Sequence, residues 1–206
     1  MIKEACVEGF TQALRAQELG ADRIELCENL AVGGTTPSIG TLFACKKHLK
    51  IPVIAMIRPR GGNFIYDAVE LEIMAEDIKA CHSAGADGIA VGLLNNMGEI
   101  DLPNLYKLVK KAGNMQVTFH KAIDLTENIE KELLRLCDSG LAQRVLTSGG
   151  DPTALEGASM LKKMIAVSEG RITVIVAGKV THSNLGDLSK LIPAHEFHGR
   201  RIVGDF

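Results

Sequence analysis

Short apolar runs rich in β-branched residues alternate along this chain with longer segments in which apolar residues recur every three or four positions. The short runs predict strands near residues 2–6, 23–27, 52–57, 87–92, 115–120, 143–147, 171–177 and 194–198. The longer segments predict helices near residues 9–19, 38–48, 70–84, 101–112, 127–139, 155–168 and 184–191. Such alternation is typical of repeated β/α units around a parallel sheet.

Eight predicted strands with short connections favour a closed (β/α)8 barrel, the TIM-barrel class of α/β fold, as a single domain over residues 1–206. The alternative is an open doubly wound sheet, whose nucleotide-binding turn would place G-x-G-x-x-G after a strand, and the chain contains no such run. Only the segment GRRIVGDF follows the eighth strand. The last helix of the barrel is therefore predicted to be short or missing.

Composition restricts the kinds of partner. The 206 residues are 46% hydrophobic, carry a net charge of −2 and contain no run rich in lysine and arginine. Nothing electrostatic therefore points to nucleic acid or to an anionic membrane surface. The first twenty residues are interrupted by acidic side chains, which predicts neither a signal peptide nor a membrane span. We expect a cytoplasmic protein whose partner is an ion or a small molecule.

The five cysteines fall into two groups. No C-x-x-C spacing and no export signal are present, so structural disulfides are not expected. Cys45, Cys81 and Cys137 lie in predicted helices beside apolar residues, where a cysteine is usually part of the core. Cys6 and Cys27 differ, because each ends a predicted strand two residues after a glutamate. The E-x-C pattern thus occurs twice.

The carboxyl ends of the predicted strands are unusually polar. In a (β/α)8 barrel these ends form a single surface, which carries the chemistry. Here they present acids, bases, thiols and hydroxyls: Glu4, Cys6, Glu25, Cys27, Arg58, Arg60, His120, Lys121, Asp124, Thr147, Ser148, Asp151, Lys179 and His198. Such convergence is typical of a functional site, and we expect Glu4, Glu25, Arg58 and His120 to face one pocket. The structural alternative is a buried ion network among Glu4, Glu25 and Arg58, with His120 as a core residue.

Long segments of the chain resemble, in order, the signature blocks of the CutC family of copper homeostasis proteins. These segments are GADRIELC, GGTTPS, MIRPRGGNFIY, EIMAEDI, GADGIAVG, TFHKAID, RVLTSGG and EFHG. The resemblance implies a (β/α)8 barrel that is cytosolic and forms homo-oligomers, commonly dimers. It also implies that Cys6 and Cys27 are the ligands of Cu(I), a metal that soft thiolates select. If so, the two sulfurs should lie within roughly 5 Å of each other.

The chain departs from the family pattern at three positions. Lys121 stands where arginine is expected, Lys179 stands in a turn that is usually rich in glycine, and Arg200 replaces a small residue. Lys121 keeps the charge but loses the planar guanidinium fork. A glycine-rich turn after the seventh strand could offer its N–H groups to a phosphate, and barrels favour that location. Lys179 weakens this interpretation, although it supplies a charge of its own.

Two hypotheses about function follow. The first is a cytosolic protein that binds and buffers Cu(I) through Cys6 and Cys27. The second is an enzyme of unknown reaction that acts on a small anionic metabolite, with Glu25, His120 and Asp124 as acid and base groups. In that case the substrate-binding residues would be Glu4, Arg58, Lys121, Thr147, Ser148 and His198, with Arg58 and Lys121 as an anion clamp. Two thiolates alone do not account for so many polar groups.

The predicted lack of a last helix also bears on assembly. Without that helix, the outer faces of strands eight and one would be uncovered, and exposed apolar surface of this kind usually marks an interface. We therefore expect a two-fold homodimer in which the partner covers this side. A loop folded over the gap is the alternative that leaves a monomer.

Overall fold

The computed structural model describes residues 1–205, in which eight parallel strands close into a barrel in chain order. The strands are β1 (Ile2–Glu8), β2 (Arg23–Cys27), β3 (Val53–Ile57), β4 (Gly88–Val91), β5 (Gln116–Phe119), β6 (Arg144–Thr147), β7 (Thr173–Val176) and β8 (Glu196–Gly199). The helices are α1 (Gly9–Glu18), α2 (Ile39–His48), α3 (Ala68–Ser83), α4 (Leu102–Val109), α5 (Ile129–Ser139), α6 (Ala158–Ser168) and α7 (Leu185–Leu191). The predicted TIM barrel is confirmed, with each element close to its predicted bounds.

The segment after β8 contains no helix within residues 1–205, as predicted. The expectation that the outer faces of β8 and β1 are uncovered is wrong, because Ala5, Val7 and Phe197 are completely buried within the single chain. Ile202 and Val203 are buried in the same apolar cluster, so the short C-terminal segment helps to close this side. Among the described helices, none combines the length and the apolar character that crossing a membrane requires.

Alternation along the strands separates two interiors. Outward-pointing residues such as Ala5 and Val7 pack with the surrounding helices in the main core. Inward-pointing residues form smaller apolar clusters, one of which contains Cys6 and Cys27. Because β1 pairs with β2 so that Cys6 lies opposite Glu25, the thiols and the carboxylate share the inside of the barrel. The barrel interior is therefore partly polar, unlike the layer outside it.

Caps fix the helix ends near the carboxyl face of the barrel. The Ser38 side chain accepts a hydrogen bond from the Thr41 N–H at the start of α2, and Asp67 forms a capping box with Glu70 at the start of α3. At the opposite, amino face of the barrel, Gly140 ends α5 in a left-handed conformation, where glycine is favoured. The caps of α2 and α3 end the loops after β2 and β3, which reach over the barrel mouth.

Candidate functional site

Glu4 lies inside the barrel between partners from two strands, β2 and β8. Its Oε1 atom is 2.8 Å from Nδ1 of His198, and its Oε2 accepts a hydrogen bond from Nε of Arg23, which also donates to Glu196. Burial would raise the pKa of Glu4, but the hydrogen bond and charge of His198, together with Arg23, lower it to about 2. Glu4 is therefore an ionised carboxylate that holds the His198 ring in place.

His198 connects this ion network to the thiols. Its Nε2 atom lies 3.8 Å from Oε2 of Glu25, on the ring edge opposite Glu4. Burial would lower the pKa of His198, but the nearby charges of Glu25, Cys6 and Glu4 outweigh burial and raise it well above its usual range. At neutral pH His198 is thus an imidazolium surrounded by acidic groups.

Cys6, Cys27 and Glu25 form a compact cluster of potential ligand atoms. Their two sulfurs and one carboxylate oxygen all lie within 4.8 Å of one another, and the Cys27 Sγ is 3.5 Å from Oε2 of Glu25. The predicted distance of roughly 5 Å between the sulfurs is therefore confirmed. Gly34 packs directly on this cluster, since a Cβ at that position would lie 3.3 Å from the Cys27 sulfur.

The two thiols differ in protonation. A hydrogen bond from Cys27 lowers the pKa of Cys6 well below its usual range, despite burial, and His198 adds to this effect. The same pairing raises the pKa of Cys27. Burial raises the pKa of Glu25 to about 8, with His198 opposing and the charge of Cys6 adding to it. The favoured arrangement at neutral pH is a Cys6 thiolate beside a protonated Cys27.

A cavity of about 120 Å³, here called the mouth cavity, opens beside this cluster. It is lined by Cys6, Glu25, Leu30, Gly33, Met56, Arg58, Phe64, His120, Lys121, Leu146 and His198. Of the four residues predicted to share a pocket, Glu25, Arg58 and His120 therefore do so. Glu4 does not line the cavity, because it precedes Cys6 by two positions on β1 and is covered by His198.

Arg58 is held by the loops around the mouth cavity. Its guanidinium donates hydrogen bonds to the backbone oxygens of Val32 and Gly34, both at 3.0 Å, and of Gly62 at 2.7 Å. The group also lies 4.7 Å from the centre of the Phe64 ring. Both terminal nitrogens donate to the protein, so Arg58 joins two loops. Its Nε has no hydrogen-bond partner within residues 1–205 and Arg58 lines the cavity, so the anion-binding role stays a prediction.

His120 is a buried neutral imidazole at the edge of the mouth cavity. Its Nδ1 accepts a hydrogen bond from the Ala122 N–H at 3.2 Å, and burial together with the charge of Arg58 lowers its pKa to about 3. With Nδ1 as the acceptor, Nε2 carries the proton, and this buried atom has no hydrogen-bond partner within residues 1–205. Gly92 permits this position, because a Cβ there would lie 2.4 Å from the ring.

Asp124, Thr147 and Ser148 lie outside the set of residues that line the mouth cavity. The Asp124 carboxylate accepts hydrogen bonds from both hydroxyls, from the Ser148 N–H at 3.0 Å and from the Gly150 N–H at 3.2 Å. Lys121 adds an ion pair at 3.0 Å. These groups satisfy one another, and of the four only Lys121 reaches the cavity, so a direct contact of Asp124, Thr147 or Ser148 with a substrate stays a prediction.

Sequence reasoning did not identify Arg23, Glu196 and Phe64 as parts of the site. The alternation that places Glu25 and Cys27 inside the barrel also places Arg23 inside, and the same rule connects Glu196 with His198. That signal was present in the sequence. Phe64 comes from a loop, and its contacts with Arg58 and His120 follow no periodic pattern.

The fold and the site define a single-domain (β/α)8-barrel protein with a mouth lined by thiol, imidazole and carboxyl groups. The model of the CutC family matches residues 1–203, and the chain belongs to that family. It is 43% identical over 197 residues to the human copper homeostasis protein cutC homolog, covering 96% of this chain and 72% of the relative. A CutC family protein of Chromobacterium violaceum is 41% identical, with 96% and 79% covered. The crystal structure of a CutC protein from Streptococcus agalactiae has a TM-score of 0.93 at 33% identity, with 98% of this chain and 99% of that chain covered.

Proposed function

We propose that this protein serves copper homeostasis in the cytoplasm by binding and buffering Cu(I) through Cys6 and Cys27. The observation that carries the proposal is the pair of buried sulfurs within 4.8 Å of each other. Two metal–sulfur bonds of about 2.3 Å can span such a separation, and soft thiolates select Cu(I) over harder cations. The family and the name of the human relative agree with this function.

The surroundings of the thiols also suit a monovalent soft cation. Cys6 already favours the thiolate form, so binding requires the loss of one proton, from Cys27. The Glu25 carboxyl lies next to the Cys27 sulfur and is able to accept that proton, while the positive charge of His198 offsets the charge of the thiolates. Only Cys6 of the pair lines the mouth cavity, so the ion would reach the site on the Cys6 side.

A competition titration under reducing conditions tests the proposal. The protein and a Cu(I) chelator of known affinity compete for the metal, and we expect one Cu(I) per chain for the unchanged sequence. Cys6→Ser combined with Cys27→Ser should weaken binding by at least about 100-fold, since both soft ligands are lost. Cys137→Ser is the matched control, because it removes a thiol elsewhere in the chain and should leave the affinity unchanged. Unchanged affinity in the double variant would refute the assignment.

A second candidate function is an enzyme that acts on a small anionic metabolite. What favours it is the set of polar groups that a two-thiolate site does not need: Glu25, His198 and the unpartnered Nε2 of His120, all at the mouth cavity. Glu25 and His120 would act on the substrate, and Lys121 would offer positive charge. Glu4 would hold the His198 ring in place through the hydrogen bond between its carboxylate and Nδ1.

Ligand screening distinguishes this candidate from copper binding. A library of small anionic metabolites is screened by thermal shift against the unchanged protein and against His120→Gln, whose amide keeps a hydrogen-bonding group. A ligand of the cavity should stabilise the former more than the latter. If no metabolite shifts the melting temperature while Cu(I) does, the enzyme candidate fails and the copper function remains.

We also propose that the protein forms a two-fold homodimer. The resemblance to the family supports this, as do exposed apolar side chains on two neighbouring helices: Ile39 and Phe43 of α2, and Val69 and Ile73 of α3. Light scattering at micromolar concentration should give twice the chain mass of 22.1 kDa. A monomeric mass would refute the dimer, and Phe43→Asp should favour the monomer if this face is the interface.

A further inference from the structure

A second concave surface, here called the basic groove, lies on the loops after β7 and β8. It has a volume of about 430 Å³, and its lining includes Lys121, Lys179, Arg200 and Arg201. Lys121 and His198 line both this groove and the mouth cavity. The two concave surfaces are therefore adjacent, and one small molecule is able to reach into both.

The charges in the basic groove are not balanced locally. None of the groove-lining side chains in the described part of the chain is a carboxylate. Lys121 is paired with Asp124, and Arg201 lies 3.5 Å from Asp205, a largely exposed residue. Neither Lys179 nor Arg200 forms an ion pair with any group among residues 1–205. An excess of positive charge in a concave surface attracts anions.

The backbone after β7 adds donors to this charge. Gly178 and Lys179 both have positive φ angles, +99° and +55°, and neither N–H donates to a backbone oxygen within residues 1–205. Gly178 has no room for a side chain, because a Cβ would lie 2.8 Å from the Ala154 nitrogen. Lysine rarely adopts the left-handed conformation, yet Lys179 holds it where glycine would be unstrained. The turn thus combines free N–H groups with an ammonium group at one position.

We propose that the basic groove binds the phosphate group of a small phosphorylated metabolite, whose remaining atoms extend into the mouth cavity. Arg200 offers a planar guanidinium that suits two phosphate oxygens, while Lys179 and the adjacent N–H groups offer single donors. The loops after the seventh and eighth strands are a frequent phosphate site in (β/α)8 barrels. This proposal rests on the second candidate function and names its substrate class, and it does not depend on copper binding.

Calorimetric titration at fixed ionic strength tests the proposal with three probes: inorganic phosphate, glycerol phosphate and glycerol. We expect both phosphates to bind and glycerol not to bind. Lys179→Gly combined with Arg200→Ser should weaken phosphate binding at least about tenfold, since two charge-assisted contacts are removed. The matched control is Lys47→Ser with Lys50→Ser, which removes two exposed charges outside the groove and should bind phosphate as the unchanged protein does.

Three results would overturn the proposal: no phosphate binding at millimolar concentration, equal binding by the groove variant, or equal weakening by the control variant. Malonate serves as a carboxylate probe, and tighter binding of malonate than of phosphate would refute the assignment to phosphate. If phosphate binds but no phosphorylated compound is ever converted, the enzyme candidate fails while the groove remains.

Discussion

Replacement of Arg58 by lysine tests whether this residue holds the loops around the mouth cavity. The guanidinium makes three hydrogen bonds to backbone oxygens of two loops, and Arg58 is only 5% exposed. A hydrogen bond from a charged donor contributes about 1.5–3 kcal/mol. A lysine ammonium on a single stem can keep one of these contacts, so two are lost. The low end of the range applies, because Val32 and Gly62 are exposed and their oxygens can reach water, and the expected loss is about 3 kcal/mol.

Thermal and urea unfolding measure this loss. For a domain of this size, about 3 kcal/mol lowers the melting temperature by roughly 6–12 °C. Hydrogen exchange should increase first in residues 29–35 and 60–65, which Arg58 joins. Arg15→Lys is the control, since Arg15 carries the same charge but its guanidinium only pairs with Glu18 at the surface of the described chain. It should cost no more than about 1 kcal/mol.

An unchanged melting temperature in Arg58→Lys, or slower exchange in these loops, would refute this reasoning. In that case the hydrogen bonds to Val32, Gly34 and Gly62 would not determine the shape of the mouth. Arg58 would then be available to a ligand, as the sequence alone suggests. The experiment therefore separates a positioning role from direct anion binding.

Three further predictions concern His120, Gly92 and Lys179. The unfolded chain protonates His120 near pH 6.5, whereas the folded protein does so only near pH 3, so stability falls as the pH drops below 6.5. Between pH 7 and pH 5 this protonation costs the folded protein about 2 kcal/mol of stability, and His120→Gln should abolish that loss. Urea unfolding at both pH values measures it, and the same pH dependence of stability in both proteins would contradict this. Gly92→Ala should destabilise by about 1–3 kcal/mol and shift the NMR signals of the His120 ring, because the new Cβ overlaps it. Gly186→Ala, which meets no atom within 4 Å, is the control that should not destabilise. Lys179→Gly should raise the melting temperature by about 2 °C, because the backbone strain of a left-handed lysine that it relieves exceeds the stability lost through the higher entropy of the unfolded chain. A lower melting temperature would refute this.

The barrel could be predicted because its signals are local. Alternation within β1 and β2 and glycine at helix ends are each readable over a few residues, and these features placed Cys6, Glu25 and Cys27 on one face. The expected distance between the two sulfurs followed from the Cu(I) site that the family resemblance implies, together with the spacing of adjacent strands. What could be predicted was therefore the scaffold and the side of each strand that faces inward.

The remaining features depend on partners that are distant in the chain or held by loops. The network of Glu4, Arg23 and Glu196 joins strands that are more than 170 residues apart, and nothing local indicates which carboxylate each cation selects. Asp124 is a candidate catalytic acid by sequence, and its five contacts with Lys121, Thr147, Ser148 and Gly150 depend on the folded chain. The part that Arg58 plays in joining two loops could not be predicted, because its partners are backbone oxygens, which carry no sequence signature.

The two faces of each strand give this protein two almost separate sets of mutable positions. On β1, Glu4 and Cys6 determine the chemistry inside the barrel, while Ala5 and Val7 determine how the helices fit outside it. A substitution at an even-numbered position of β1 can change what the mouth binds without disturbing the helical layer. Descendants of such a barrel are therefore able to acquire new ligands by drift at alternate residues, while selection for folding acts on the residues between them.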